Sequence, residues 1–469
     1  MSVRFALPAS DSRAFVHDLL VQAGIEAREY APGSRVMRSE APNGLVTRVF
    51  RERDIPIQVA LGNYDLGICG ETWLAEVQVR FPMQRVVRLG SFPGPVLSLW
   101  LGAARESGLL AGQLPRAESL RDARIASEFP NLAEYYAINH RIPGYHILPI
   151  AGSAEAYPPE DADLVVMPAR DSREVDSRGL VPITRLFDGG LVLLANEDSL
   201  RTVAMGDVLR RLGPYLGGNV PPREMPRVTA EARFQRFSRD QTAVRMAVPD
   251  GHAQRHTPAC LRAAGLEFDG YNEDGFVRRP TSPLEGLQVK VVRPQDMPQL
   301  VAMGLFDIAI SGRDLLHEHL CRFPASPVAM AADLGRNRYR IGPVVDRAFP
   351  AETTADALEI WRNLGRAVRI ASEFPATAEQ FARDSHLPYT SIIPIAGASE
   401  GFVPEDADIL VEGSETGTSI QANGLKMLDP FMESTNCVIW RRPPVTKNVP
   451  LLNHLVDRLR ASVASGGPA

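Results

Sequence analysis

The chain has 469 residues, 45% of them hydrophobic and 23% charged, enough apolar material for more than one core without disulfide or metal staples. Its net charge is −5 and its arginines are scattered, which argues against the dense basic face that non-specific nucleic-acid binding needs. Cys69, Cys260, Cys321 and Cys437 stand apart without CxxC spacing, and no apolar run reaches the ~18 residues of a membrane span. The expectation is a cytoplasmic protein with reduced thiols, no zinc, no membrane and no nucleic-acid partner.

In chain order, VRFALP is a short apolar strand, and a helix follows from Ser12 to Ala23 with Gly24 to end it. Asp54 opens the helix DIPIQVALG, with Pro56 where an early helical position tolerates proline. YDLGICG then reads as an apolar strand. RIASEFP, from Arg124, is strand then turn, with the helix NLAEYYAINH behind it. LVLLAN and, much later, CVIWRR are apolar strands by which the chain returns, each followed by an amphipathic helical stretch. Strands and helices alternating at this size predict α/β units with mainly parallel sheets covered on both faces. Two lobes joined by crossing strands leave a cleft, the usual place for a ligand.

The pattern occurs twice. RIASEFP at Arg124–Pro130 recurs unchanged at Arg369–Pro375, 245 positions on, and the same offset pairs PIAGSAE with PIAGASE and PEDAD at Pro159 with PEDAD at Pro404. YDLGICGE from Tyr64 matches FDIAISGR from Phe306 at offset 242, and FALP matches MAVP at offset 241. Collinear matches with so little drift identify a tandem duplication. The expected boundaries are a first copy at 1–226, a linker at 227–241 after the Gly- and Pro-rich GGNVPPREMPR, and a second copy at 242–469. Charged residues from Arg227 to Asp240 suggest a short connecting helix, and the tail ASGGPA reads as disordered.

One loop carries chemistry. EGSETGTSIQANGL, from Glu412, runs from the strand ADILVEG into a helical stretch. Glu415, Thr416, Gly417, Thr418 and Ser419 therefore fall at a strand-to-helix turn, which aims backbone N–H groups and hydroxyls at one point, a site for phosphate. Glu412, at the strand end, is placed to accept hydrogen bonds from neighbouring sugar hydroxyls. An acid followed by hydroxyl–Gly–hydroxyl suits a ribose 5-phosphate; an ordinary capped helix after a polar turn is the competing reading.

ETGTSIQANGL resembles the phosphoribosyl-pyrophosphate loop of the ATP phosphoribosyltransferases of histidine biosynthesis. RPQDMPQLVAMGLFDIAISGRDLL is similar to that family's first-lobe segment, RIASEFP to its RIATxYP, and Gly397–Glu400 to its GSVE. The likeness spans nearly all of the second copy and, more faintly, the first. It implies two tandem copies of a two-lobed, periplasmic-binding-protein type II-like fold. It also implies transfer of phosphoribosyl from phosphoribosyl pyrophosphate to N1 of ATP, with Mg²⁺, releasing pyrophosphate. On this resemblance Glu412 and Glu400 are the catalytic candidates, and Glu412 with Glu415–Ser419 binds phosphoribosyl pyrophosphate. Arg255, Arg313, Ser372 and Glu373 are candidates for acceptor or phosphate contacts. The metal's ligands are left unassigned.

Departures leave the acceptor open. Where the family carries a basic P-x-K-G or P-K-G-R after the first strand, the second copy has Pro249-Asp250-Gly251-His252 with Arg255 beyond, and the first has Pro8-Ala9-Ser10-Asp11 with Arg13. In the first copy Met167 stands opposite Glu412, and Asp171, Ser172, Arg173 and Glu174 stand opposite Thr416–Ser419. Two acids there repel a phosphate, so the first copy is expected to be a blank. Arg170 and Arg173 are either solvated or donors to a neighbouring site. Glu155 and Glu400 are either ligand contacts or turn carboxylates. Asp54 and Asp296 are expected to cap helices, and His317-Glu318-His319 to lie on an exposed helix surface. Transfer to a different base or nucleotide, and a non-catalytic binding relative, are the alternatives. Fusion of two copies predicts a pseudo-dimer within one chain, with homo-oligomers still possible.

Overall fold

In the computed structural model, residues 2–217 and 240–465 are described except for 10, 41–43, 83–84 and 95–96, together with 234 and 237. Most of the linker expected at 227–241, its connecting helix, and the end of the ASGGPA tail lie outside these residues. Phe234 packs on the core of the first copy's second lobe.

Each copy folds into two α/β lobes. The first lobe of the first copy has strand order Arg38–Glu40, Leu45–Phe50, Val3–Pro8, Leu66–Gly70, Leu191–Asn196, Val86–Phe92. The second copy repeats this as Leu287–Val292, Val244–Pro249, Ile308–Gly312, Asn436–Arg441, Val328–Asp333. The second lobes also match. Leu180–Phe187, Ser98–Ala104, Leu164–Ala169, Arg124–Ser127, His146–Pro149 in the first copy correspond to Leu425–Met427, Tyr339–Asp346, Ile409–Ser414, Val368–Ser372, Thr390–Pro394 in the second. This is the two-lobed type II periplasmic-binding-protein architecture, twice. In the first lobes the first strand pairs in parallel with both neighbours, as Val3–Pro8 does with Leu45–Phe50, whereas in the second lobes the first strands, Ser98–Ala104 and Tyr339–Asp346, pair antiparallel. The return strands differ from the parallel expectation: Leu191–Asn196 and Asn436–Arg441 run antiparallel to both neighbours, because the chain re-enters the first lobe from the second.

Near-continuous apolar runs such as Val244–Pro249, every residue of which is buried, suit strands covered on both faces. The two lobes of each copy are tied by one carboxylate. Glu76 accepts from the N–H groups of Asn131 and Leu132, and Glu318 accepts from those of Ala376 and Thr377, each at the N-terminus of a second-lobe helix. There the unsatisfied first-turn donors and the helix dipole both favour an anion. The expected exposed surface at His317–His319 is thus corrected: Glu318 joins the lobes, and His319 is buried against Ser326.

The copies pack about a pseudo-twofold axis, the first lobe of each against the second lobe of the other. One apolar core joins the second lobe of the first copy (Val165, Met167) to the first lobe of the second (Val292, Phe306). Another joins the first lobe of the first copy (Phe50, Ile55) to the second lobe of the second (Phe402, Ile420). Contacts recur in pairs, as an isologous interface requires. Asp54 accepts from the Ala396 N–H at 2.9 Å, and Asp296 from the equivalent Ala151 N–H at 2.9 Å. Both aspartates do stand at helix N-cap positions, but neither side chain makes a cap hydrogen bond; their carboxylates bridge the copies instead. Arg48 pairs with Glu405 and Lys290 with Glu160 on the two halves of the interface. The pseudo-dimer expected from the fusion is therefore the arrangement within this chain.

Candidate active site

Strand Ile409–Ser414 delivers Glu412 and the loop that follows to the cleft of the second copy. Gly417, at φ +74°, turns the chain in the left-handed region and starts the helix Thr418–Ala422. That helix has only five residues, so its dipole is small and the loop's own polar groups do more than the sequence reading assigned them. Ser414 Oγ accepts from the Gly417 N–H at 2.8 Å, and the Thr416 and Thr418 hydroxyls lie 2.8 Å apart. Together with Glu415 and Ser419 they border a cavity of about 380 Å³. A larger hollow of about 580 Å³, between Leu261, Phe268 and Pro283, lies on a different part of the second copy's first lobe and contains none of these groups.

Glu412 is unusual in its hydrogen bonding. Oε1 accepts from the Gly413 N–H at 2.9 Å, while Oε2 is enclosed and has no hydrogen-bond partner. Part of the residue remains accessible, but the enclosed oxygen sets its chemistry. Burial pushes its carboxyl up to about 8; the neighbouring charges of Glu373 and Glu400 add to this, while Ser399 and the Gly413 N–H oppose it. Glu373 is also raised, chiefly by burial and then by Glu400, with Arg51 opposing. The cleft thus gathers the three acids Glu373, Glu400 and Glu412. Among the described residues, no group of three or more His, Cys, Asp or Glu side chains is arranged to hold a metal ion.

Arg51 belongs to the first copy, yet it packs against the turn at Gly397. A Cβ on Gly397, at φ +120°, would lie 2.8 Å from Arg51 Nε and 3.0 Å from Glu373 Oε1. Ser34, Arg35 and Met37, also of the first copy, line the 380 Å³ cavity facing the loop. Asn423 holds this segment in place, donating to the Arg35 carbonyl at 3.0 Å and accepting from the Met37 N–H at 2.7 Å. Sequence reasoning missed Arg35 and Arg51, since nothing local to them marks a ligand site. Their signal is indirect: a duplicated chain that pairs first lobe to second lobe must place one copy's strand ends against the other copy's cleft.

The remaining candidates separate. Arg255 is exposed on the turn Gly251–His256, whose His256 senses the charge of Glu415 across the cleft. Arg313 opens the helix Arg313–Arg322 and pairs with Asp333 at 3.2 Å. Ser372 is fully buried and donates to the Val411 carbonyl at 2.6 Å while accepting from the Phe374 N–H at 2.9 Å. Its hydroxyl is consumed in joining two strands, and Ser127 makes the same pair of bonds in the first copy. Ser372 is therefore a structural residue, correcting the expectation of a ligand contact.

In the first copy, Met167 is packed into the shared core where Glu412 would stand. Asp171 caps its own helix through the Glu174 N–H, and Arg170 bonds to Glu174 and is otherwise exposed. Arg170 thus bonds within its own turn rather than across to the other copy; in the contacts made between copies, that part is played by Arg51 on one side and Arg278 and Arg293 on the other. The loop that holds the site in the second copy is a self-satisfied turn in the first.

The family profile described as "HisG: ATP phosphoribosyltransferase" matches residues 51–213 and again 293–461. The chain belongs to the ATP phosphoribosyltransferase family. It is thus a duplicated member of a pentosyltransferase family. A curated ATP phosphoribosyltransferase of Moorella thermoacetica is 30% identical over 225 residues, which is 47% of this chain and 94% of that protein. One of Leptothrix cholodnii is 27% identical over 48% of this chain and all of its own length. Each relative thus spans about one copy. A chain of the solved ATP phosphoribosyl transferase (HisG:HisZ) complex from Thermotoga maritima aligns over 45% of this chain and 98% of its own, at 22% identity and a TM-score of 0.38. Among the described residues no helix is long and apolar enough to cross a membrane.

Proposed function

We propose that the second cleft transfers the 5-phosphoribosyl group of phosphoribosyl pyrophosphate to N1 of ATP and releases pyrophosphate. The observation that carries this reading is the enclosed, unpartnered Oε2 of Glu412 beside an intact Thr-Gly-Thr-Ser loop, in a chain of this family. An acceptor with no donor, at the end of the strand that feeds a phosphate loop, is complementary to the hydroxyls of a ribose whose 5-phosphate lies on Thr416–Ser419.

Breaking the C1–O bond to pyrophosphate develops positive charge on the ribosyl ring and negative charge on the leaving group. The acids Glu373, Glu400 and Glu412 lie on one side of the cleft, and Arg35 and Arg51 reach it from the other copy. Arg51 stands beside Glu373 and Arg35 lines the loop's cavity, so cationic groups lie within reach of the leaving diphosphate, and holding ring and base in line supplies much of the remaining rate. Mg²⁺ is read as part of the substrate, bound to its diphosphate. Histidine biosynthesis and a cytoplasmic location follow from the family as proposals.

A second reading, transfer to another base or nucleotide, rests on Asp250, which stands in place of the family's basic residue and is buried between Arg278 and Arg293. Incubation with phosphoribosyl pyrophosphate, Mg²⁺ and a panel of nucleotides, followed by pyrophosphate release and product mass, decides between the two. ATP-dependent release with a phosphoribosyl-ATP mass supports the first reading. Release only with a different acceptor supports the second, and no release with any acceptor counts against both.

A further inference from the structure

The first copy's cleft is filled from within. Arg278, from the second copy, spends all three guanidinium nitrogens there: Nε donates to Glu155 Oε1 at 3.0 Å, Nη2 to Ser153 Oγ at 2.7 Å and Nη1 to Asp250 Oδ2 at 3.0 Å. Arg293 Nη1 reaches the other oxygen of Asp250 at 3.4 Å, and Arg178 stands 3.9 Å from Glu155. On the first-lobe side, Glu52 accepts from the Gly70 N–H at 2.8 Å and from the Ser12 hydroxyl, at the start of the helix Glu71–Arg80. An internal carboxylate thus occupies a helix end that would otherwise favour an anionic ligand. Pro294 stands in its place in the second copy.

The same network touches the active cleft. Asp250 is only 3% exposed and immediately precedes the turn Gly251–His256, which carries Arg255 and His256. Gly251 takes φ +68°, so the direction in which the turn leaves Asp250 is fixed by a conformation that few other residues tolerate. Gln254 donates to the Asn272 carbonyl at 2.8 Å and Tyr271 to the Pro249 carbonyl at 2.7 Å, holding the two flanks. Burial and then His252 lower the His256 imidazole, and Glu415 of the phosphate loop opposes them from across the cleft. The clasp is one-sided: the first copy has Ala9 where the second has Asp250, and Glu400, the counterpart of Glu155, makes no ion pair among the described residues.

We propose that the vacated first cleft is a clasp, and that Glu155 and Arg278 are positioning residues that set the acceptor-facing turn Gly251–His256 of the active cleft through Asp250. This gives the blank copy a task beyond filling an interface: a part-buried, three-way charge-assisted contact closing on the buried Asp250 holds a short turn more firmly than the turn's own few hydrogen bonds. It also predicts one phosphoribosyl pyrophosphate per chain.

The inference rests on the second cleft being the transfer site, and the test separates the two. Full-length Glu155→Ala and Arg278→Ala are assayed for phosphoribosyl transfer with each substrate varied in turn, alongside calorimetric titration with phosphoribosyl pyrophosphate. The expected result is a rise of roughly 10- to 100-fold in the acceptor KM, the scale of a small misplacement of a binding group. The KM for phosphoribosyl pyrophosphate stays within about twofold, and Glu155→Gln, which retains a hydrogen-bond acceptor, recovers part of the loss. Arg173→Ala, on the exposed rim of the blank loop, leaves both constants unchanged. Should Arg278→Ala fail to fold, Glu155→Gln and Glu155→Ala carry the comparison. A lowered melting temperature with an unchanged acceptor KM would overturn the clasp, as would two binding sites per chain. Absence of any phosphoribosyl pyrophosphate binding would instead remove the transfer reading on which it stands.

Discussion

Replacing Glu412 with Gln tests the central residue in two independent ways. Burial and the charges of Glu373 and Glu400 raise its carboxyl from 4.5 to about 8 in the folded chain. A carboxyl whose folded pKa lies above its unfolded value binds more protons folded than unfolded. Its contribution to stability is therefore intact below about pH 4.5 and is lost as pH rises towards 8. At about 1.4 kcal/mol per unit, the full shift corresponds to a loss of about 5 kcal/mol, and solvent entering the cleft mouth brings the observable figure to about 2–5 kcal/mol. Glu412→Gln cannot ionise and removes this dependence. Wild type and variant are compared by thermal unfolding from pH 5 to 9: the variant's midpoint should gain on the wild type up to about pH 8 and level off above it. The same variant should lose phosphoribosyl transfer by roughly 100-fold or more at about pH 9, where the wild-type carboxylate is ionised and both its oxygens accept from the ribose, while the amide keeps only one accepting oxygen. Identical pH slopes for the two proteins would show that Glu412 is not the strained carboxyl described here. A variant that keeps its activity would show that Oε2 does not receive the ribose.

Other perturbations follow from the pairing of the copies. Arg51→Ala, a change in the first copy, should lower turnover in the second cleft by roughly 100-fold with folding intact, read by steady-state kinetics beside circular dichroism. Met167→Ala, at the first-copy position facing Glu412, should leave turnover unchanged and lower only the melting temperature, by truncating a packed side chain. Residues 242–469 expressed alone should self-associate and transfer poorly, because their apolar faces are shared with the first copy; addition of residues 1–226 should restore activity, and a monomeric, fully active fragment would contradict the shared cores. Asp161→Ala should cost about 3–5 kcal/mol in denaturant unfolding, because it strands the buried Arg245 that now bonds to it at 2.7 Å and leaves the buried Lys290 with Glu160 alone. Asp406→Ala, at the equivalent place on the other half of the interface, removes the partner of a neutral Tyr64 hydroxyl and should cost less, about 1–3 kcal/mol.

The sequence by itself determined the duplication, the strand and helix order, the phosphate loop with its acid Glu412, and the erosion of that loop at Met167–Glu174. These are properties of short stretches: an apolar run, a glycine that must turn, an acid at a fixed distance from hydroxyls. Each survives being read along the chain. The parallel pairing of the inner strands was legible for the same reason, whereas the antiparallel return of Leu191–Asn196 and Asn436–Arg441 depends on where the second lobe delivers the chain.

Only the tertiary structure decided how side chains from the two halves meet. Asp54 has the residue type and position of a helix cap, yet its carboxylate is taken by Ala396, 342 residues away, because docking brings that N–H closer than its own helix does. Ser372 resembles a ligand hydroxyl until its strand is seen to have a carbonyl 2.6 Å away. Arg35 and Arg51 carry no local mark of function, and enter the candidate site because a pseudo-twofold axis places Arg35 beside the other copy's loop and Arg51 against its Gly397 turn. Hydrogen-bond partners are settled by distance in space, and for a chain folded on its own duplicate, separation along the sequence says little about that distance.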